Sequence, residues 1–296
     1  MAEQLICNQQ VVGSIPTGGS QWCNLCTLHI APDTVASTLW EETMIKNLFG
    51  FALLLMLTTS VGAQEIVEVP TFRNVEDSKT VYGDVLSHSQ DRPFGDAHGR
   101  STNAHETAHG IAAWLRNHHR RPYRFNGVYY ATGKGLLLRE PRFKISNVAS
   151  VIPAPLRSYR YRLYFVEQLR DWNDTPTYIL DEWTAYVWGG ECALDDYRTK
   201  RLNDGTDAVS GCLDFSIYTV AFCMVLQEQD PKLFAEYRPY VRTLLERAET
   251  AFFEGKDTFK SSGQTKLLES LRRDPAAEPI RKFLTQEFDG LFLRRL

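Results

Sequence analysis

Apolar positions fall into distinct spacing regimes along the chain. From Thr102 to His119 they recur at helical spacing, with Ala104, Ala108, Ile111, Ala112 and Leu115 on one stripe. Thr102 or Asn103 supplies a capping side chain, and Pro122 lies just past the end. The runs FNGVYYA and LLLRE flank Thr132-Gly133-Lys134-Gly135, which predicts a β-hairpin with a glycine-rich turn. After Pro141 the pattern is helical almost throughout. Ile145–Ile152 reads as a short helix or turn, stopped by Pro153 and Pro155. Leu156–Trp172 reads as an amphipathic helix. Pro176–Trp188 reads as another, with Thr175 as its cap, Pro176 at its first position and Gly189-Gly190 as its stop. Asp195–Asp207 is a polar loop, and Ser210–Gln229, Pro231–Phe253, Gln264–Arg273 and Glu278–Phe288 are further helices. Residues 64–100 are polar with scattered Pro and Gly, and read as an extended arm or loops. The expectation is a predominantly α-helical α+β fold, with a small hairpin or sheet near the helix at 102–119. No repeat or low-complexity linker divides residues 64–296. They read as one domain: an arm (64–100), a central part (101–190) and a helical part (191–296).

Ahead of this lies a different pattern. Met44 begins MIKNLFGFALLLMLTTSVGAQ, with Lys46 as a positive start, Leu48–Leu57 as an apolar run and Val61-Gly62-Ala63 as a small-residue cleavage site. That is the layout of a secretory signal peptide over 44–63, too short for a comfortable membrane span. A signal peptide belongs at an N-terminus, yet residues 1–43 precede it. Within them, the codons of VGSIPT can be written GTG GGT TCG ATT CCC AC, which folds as GTGGG, a seven-base loop and CCCAC, the form of a tRNA T-arm. The expectation is that residues 1–43 are translation across a tRNA gene and that initiation occurs at Met44. The genomic DNA tests this. The product is then exported, to the periplasm or outside the cell, with no membrane span left after cleavage near Ala63.

Composition narrows the class. Apolar residues are 43% and charged residues 23% of the 296, which excludes a disordered chain. The net charge of −3 becomes zero without residues 1–63, so no basic excess points to nucleic acid. Cys192, Cys212 and Cys223 remain. Cys192 and Cys212 flank the polar loop and are candidates to pair, whereas Cys223 sits in an apolar run.

The chemistry concentrates in His105-Glu106-Thr107-Ala108-His109. Two histidines four residues apart on a helix lie one turn apart on one face, so both imidazoles reach a single Zn²⁺. Glu106 then stands beside the metal as a general base for water. A third ligand is needed. The metzincin pattern is excluded, because Ala112 and Leu115 occupy its Gly and His positions. Glu182, in DEWTAY and 73 residues after His109, lies on a largely apolar helical stripe where a carboxylate is costly unless paired or metal-bound. Asp181, Glu191 and Glu167 are rivals. Tyr178 and Tyr186 share the face of Glu182 and are candidates to steady an oxyanion. His118 and His119 read as surface residues beside Arg120 and Arg121, and His98 as a loop residue.

HETAH with EWTAY resembles the gluzincin metallopeptidases, and the E-x-x-A element is similar to that of the anthrax lethal-factor-like group. The stretch from HETAHG to DEWTAYVWGGE, about 90 residues, also resembles exported bacterial proteins. The resemblance implies a zincin-like fold, with His105, His109 and Glu182 on zinc, Glu106 as general base and a peptide or protein as substrate. Tyr186 stands where the thermolysin type has an aspartate and where the lethal-factor type has an acid. Two other readings stand beside this one. One is a secreted, non-catalytic zinc-binding or scaffold protein, with Tyr237, Tyr240, Phe252 and Phe253 as surface. The other is a zinc hydrolase acting on an amide of cell-wall peptide.

Overall fold

The computed structural model describes residues 64–90, 99–201 and 204–294. The expectations for residues 1–43, for the signal peptide at 44–63 and for His98 lie outside them. The fold is predominantly α-helical with a small antiparallel sheet, as the spacing of apolar residues indicates.

The sheet contains β1 (Gln64–Glu68), β2 (Phe125–Ala131) and β3 (Lys134–Arg139) in the order β1-β3-β2. β2 and β3 form the expected hairpin, and β1 pairs along the other side of β3, Gln64 opposite Leu138 and Glu68 opposite Lys134. The arm at 64–100 is therefore not simply extended: it supplies an edge strand and then a helix, α1 (Val81–Ser87), capped by the Thr80 side chain. Both faces of β3 are buried. Leu136 and Leu138 join the main core, while Leu137 faces a second cluster with Ile111, Leu115 and Trp188. A strand covered on both faces reads as an unbroken apolar run, which accounts for the LLL of β3.

The second cluster seats α2 (Arg100–His118) on the sheet through Ala108, Ile111 and Leu115, its expected apolar stripe. After α3 (Ile145–Val151), the single helix expected at Leu156–Trp172 is broken into four pieces. A 3-10 turn (Ala154–Leu156) precedes α4 (Tyr159–Arg162), a π turn (Leu163–Glu167) and α5 (Leu169–Trp172). The π turn holds one residue more than an α turn, and it buries Tyr164 and Phe165 while Val166 stays 60% exposed.

α6 (Tyr178–Arg198) corrects the expected boundaries most sharply, because it runs through Gly189-Gly190 and takes in part of the expected polar loop. The two glycines permit close packing rather than a stop. A Cβ at Gly189 would lie 3.1 Å from the Ser101 carbonyl oxygen on α2, and one at Gly190 would lie 2.9 Å from Cys212 Sγ. α2 and the following helix thus approach α6 from two sides.

That following helix is α7 (Thr206–Gln229), apolar on nearly every side. It is long and apolar enough to cross a membrane, yet 94% of its most apolar window is buried inside this fold. α8 (Pro231–Gly255), α9 (Ser262–Arg273) and α10 (Glu278–Glu287) complete the helical part. Cys192 and Cys212 are free, buried thiols on α6 and α7, so the expected pairing is not observed. Tyr237 and Phe252 of α8 are 0% and 1% exposed, which removes them from the proposed binding surface. Their apolar spacing was that of a core face.

Candidate metal centre

α2 presents His105 and His109 one turn apart, their rings 4.8 Å between centroids and inclined at 75°. Their Nε2 atoms are 3.2 Å from each other. α6 crosses against this face and delivers Glu182, with Oε2 3.7 Å from His105 Nε2 and Oε1 3.6 Å from His109 Nε2. One ligand atom from each residue lies within 4.8 Å of the others, a group that could hold a metal ion. Three ligands at ~2.1 Å around a tetrahedral ion are separated by roughly 3.4 Å. The two Nε2 atoms are 3.2 Å apart, but they lie 3.7 and 3.6 Å from different oxygens of Glu182, so three-ligand binding through one oxygen needs a small shift of that carboxylate. The donor set of two imidazoles and a carboxylate also suits zinc.

The neighbours orient these donors. Asp181, considered above as a rival ligand, does not enter the group. Its Oδ1 lies 3.0 Å from His109 Nδ1, and its Oδ2 accepts from Arg116 Nη1 at 2.9 Å. A carboxylate oxygen accepts, so His109 Nδ1 carries a hydrogen, and Nε2 is the ring atom that faces His105 and Glu182 and offers its lone pair there when that nitrogen carries no proton. Arg116 also donates to Asn126 Oδ1 on β2 at 2.8 Å, which ties this relay to the sheet. The remaining rivals are occupied elsewhere. Glu191 pairs with Arg247 through both oxygens, at 2.8 and 2.6 Å, and Glu167 accepts from Arg162 at 2.8 Å.

Glu182 is held by two tyrosines. Tyr178 donates to Oε1 at 2.5 Å and Tyr164 donates to Oε2 at 3.0 Å. Tyr178 is therefore at the carboxylate, as its spacing on the helix suggested. Tyr186 is one step removed: its ring meets the His105 ring edge-on at 4.4 Å, and its hydroxyl is 3.4 Å from that of Tyr164. Sequence reasoning missed Tyr164, because only the π turn brings its hydroxyl to α6. A spacing rule built on 3.6 residues per turn carries no signal for it.

Electrostatics match the geometry. Burial alone would raise the Glu182 carboxyl, but the two histidines and the Tyr178 hydroxyl bring it down to about 2. Burial likewise lowers His105, helped by the adjacent charge of His109. For His109 burial is outweighed by Glu182 and Asp181, which raise it well above its usual value. The positive charge beside Glu182 thus rests on His109, and a divalent cation bound here would take the place of that proton.

Glu106 is partly exposed, and it makes no hydrogen bond or ion pair among the described residues. Its charge is felt at His105. It is thus the uncommitted carboxylate beside the group. At the start of α6, buried Glu140 accepts from the Thr177 backbone N–H at 3.3 Å and from the Thr177 hydroxyl. It satisfies a donor at the N-terminus of the helix that carries Asp181 and Glu182. His118 is exposed and stacks on Trp114 with ring centroids 4.6 Å apart, so it lies on the surface.

Comparisons with protein-family models, with curated proteins and with solved structures returned no match.

Proposed function

We propose that the chain is an exported zinc-dependent hydrolase, acting on the amide bonds of a peptide or protein. The observation that supports this most is the convergence of one ligand atom each from His105, His109 and Glu182 within 4.8 Å of one another, with the partly exposed Glu106 uncommitted beside them. His105, His109 and Glu182 would hold the ion. When bound, zinc supplies Lewis acidity and lowers the pKa of water toward ~7. Glu106 acts as general base, taking a proton from the attacking water and passing it to the leaving amine. Asp181 holds His109 in the tautomer that binds metal. Of the expected tyrosines, Tyr178 is partly exposed and would have to turn its hydroxyl from Glu182 Oε1 to donate to a developing oxyanion, whereas Tyr186 is 6% exposed and packed between His105 and Phe215.

A second reading, a zinc-binding protein without catalysis, is favoured by the deep burial of two ligands: His105 is 7% and Glu182 2% exposed. One experiment separates the two. The full chain and Glu106→Gln are loaded with zinc and assayed on a fluorogenic peptide mixture. The hydrolase reading expects equal zinc content and turnover lowered by at least ~100-fold in the variant. Equal turnover in the two proteins removes Glu106 as the base. Stoichiometric zinc with no turnover in either favours the second reading.

A further inference from the structure

Arg116 follows His109 by seven residues, two helical turns, and so lies on the same face of α2 about 10 Å further along its axis. Its Nη1 donates twice, to Asp181 Oδ2 at 2.9 Å and to Asn126 Oδ1 at 2.8 Å. Its Nε and Nη2 donate to nothing among the described residues, and the side chain is 38% exposed. Nε and Nη2 form one edge of the planar guanidinium, an edge whose two parallel N–H groups match the two oxygens of a carboxylate. Both acceptors of Nη1 are buried, Asp181 at 5% and Asn126 at 3% exposure. They fix the guanidinium, so the open edge is held in place before anything binds to it.

The surroundings favour an anion at that edge. Arg120 and Arg124 are exposed, and the charges of Arg116 and Arg124 both bear on Glu140, which places these two together. From Thr107 to Arg139 the chain holds no Asp or Glu. The acids that neighbouring elements bring to this end are already engaged: Asp181 with Arg116 and His109, Glu140 with Thr177, Glu65 with Arg121 and Asp174 with Lys144. Between His109 and Arg116, the partly exposed positions Gly110 and Ala113 carry side chains small enough to leave room for a peptide along α2.

We propose that Arg116 determines the specificity of the metal site, and that its substrates are peptides carrying a carboxylate about three residues from the bond that is cut. The spacing follows from the ~10 Å between His109 and Arg116, because an extended chain advances ~3.3 Å per residue. The carboxylate belongs either to an acidic side chain or to a free C-terminus. This assignment rests on the hydrolase reading.

The test uses peptide hydroxamates, whose hydroxamate group binds an accessible zinc ion, so that binding is read without turnover. One pair of probes carries Glu or Gln at the third residue, with the hydroxamate at either end of the chain. A second pair has the hydroxamate at the N-terminal end and finishes at the third residue in a free carboxylate or a carboxamide. Calorimetric titration of the zinc-loaded full chain should give a Kd about tenfold lower for the charged member of the pair that matches the source. In Arg116→Met that ratio should fall to near one. In Arg116→Lys, which keeps the charge and loses the fork, it should lie between. If Arg116 serves only to hold Asp181, the variants weaken charged and neutral probes equally and the ratio stays as in wild type, which overturns the proposal. Ratios near one for both pairs in wild type also overturn it, while hydroxamate binding itself leaves the open metal site standing. No hydroxamate binding to the zinc-loaded chain removes that open site, and the hydrolase reading and the Arg116 assignment then fall together.

Discussion

Replacing Asp181 by asparagine changes one oxygen to nitrogen, and it asks whether the relay from the sheet to His109 sets metal affinity. Asp181 uses both oxygens, Oδ1 toward His109 Nδ1 at 3.0 Å and Oδ2 toward Arg116 Nη1 at 2.9 Å. Asparagine has a single acceptor oxygen. If it serves Arg116, the amide NH₂ faces the His109 N–H and the ring must turn or change tautomer. If it serves His109, the NH₂ faces the guanidinium. Either way, the charge that favours a metal-bound imidazole is lost. Losing such a supporting carboxylate typically lowers metal affinity by about 10–100-fold, or roughly 1.4–2.7 kcal/mol. Zinc affinity is read by competition with a chromophoric chelator at neutral pH, with circular dichroism as a check on folding. Arg116→Met should give a smaller loss, because Arg116 touches no ligand directly and its side chain is 38% exposed. A folded Asp181→Asn protein that binds zinc within about twofold of wild type would refute the reasoning.

Other expectations follow from the same packing. Burial, partly offset by the Thr177 hydrogen bonds, pushes the Glu140 carboxyl up from 4.5 to about 7. The folded state then keeps a proton that the unfolded chain releases, so stability falls as pH rises between 4.5 and 7, by on the order of 3 kcal/mol. Glu140→Gln should flatten that dependence, as seen in urea midpoints at pH 5 and pH 8, and an unchanged slope would remove Glu140 from the account. A Cβ at Gly211 would lie 2.1 Å from Tyr186 Cδ1, on a ring confined by His105 and Phe215. Gly211→Ala should therefore cost ~1–3 kcal/mol and loosen zinc along with stability. A thermal melt and zinc affinity both equal to wild type would contradict this.

Helix α2, the β2–β3 hairpin and the histidine pair could be read from the chain because each rests on local periodicity. The apolar stripe of α2 repeats at helical spacing, and His105 and His109 lie on one face by the same rule. Glu182 could be found because a carboxylate on an apolar stripe is an anomaly wherever it occurs. Other features depend on partners distant in sequence. β1 is polar and half exposed, and it becomes a strand only because β3 offers it an edge. Gly189-Gly190 carries the signature of a helix stop, and only the closeness of Ser101 and Cys212 shows that the same residues serve packing. Asp181 and Glu182 are adjacent acids. Which of them joins the histidines is decided by the rotation of α6, set in turn by packing on both sides. Cys192 and Cys212 sat at the ends of an expected loop, and once α6 extends through that region each thiol is held inside a helix interface.

The central claim is a metal centre built from His105, His109 and Glu182. X-ray absorption at the zinc edge of the zinc-loaded full chain tests it most directly. The account predicts one zinc per chain, nitrogen and oxygen neighbours at ~2.0–2.1 Å with the scattering signature of two imidazoles, no sulfur at ~2.3 Å, and loss of stoichiometric zinc in Glu182→Ala. Sulfur in the spectrum, zinc unaffected by Glu182→Ala, or no zinc retained at all would contradict it.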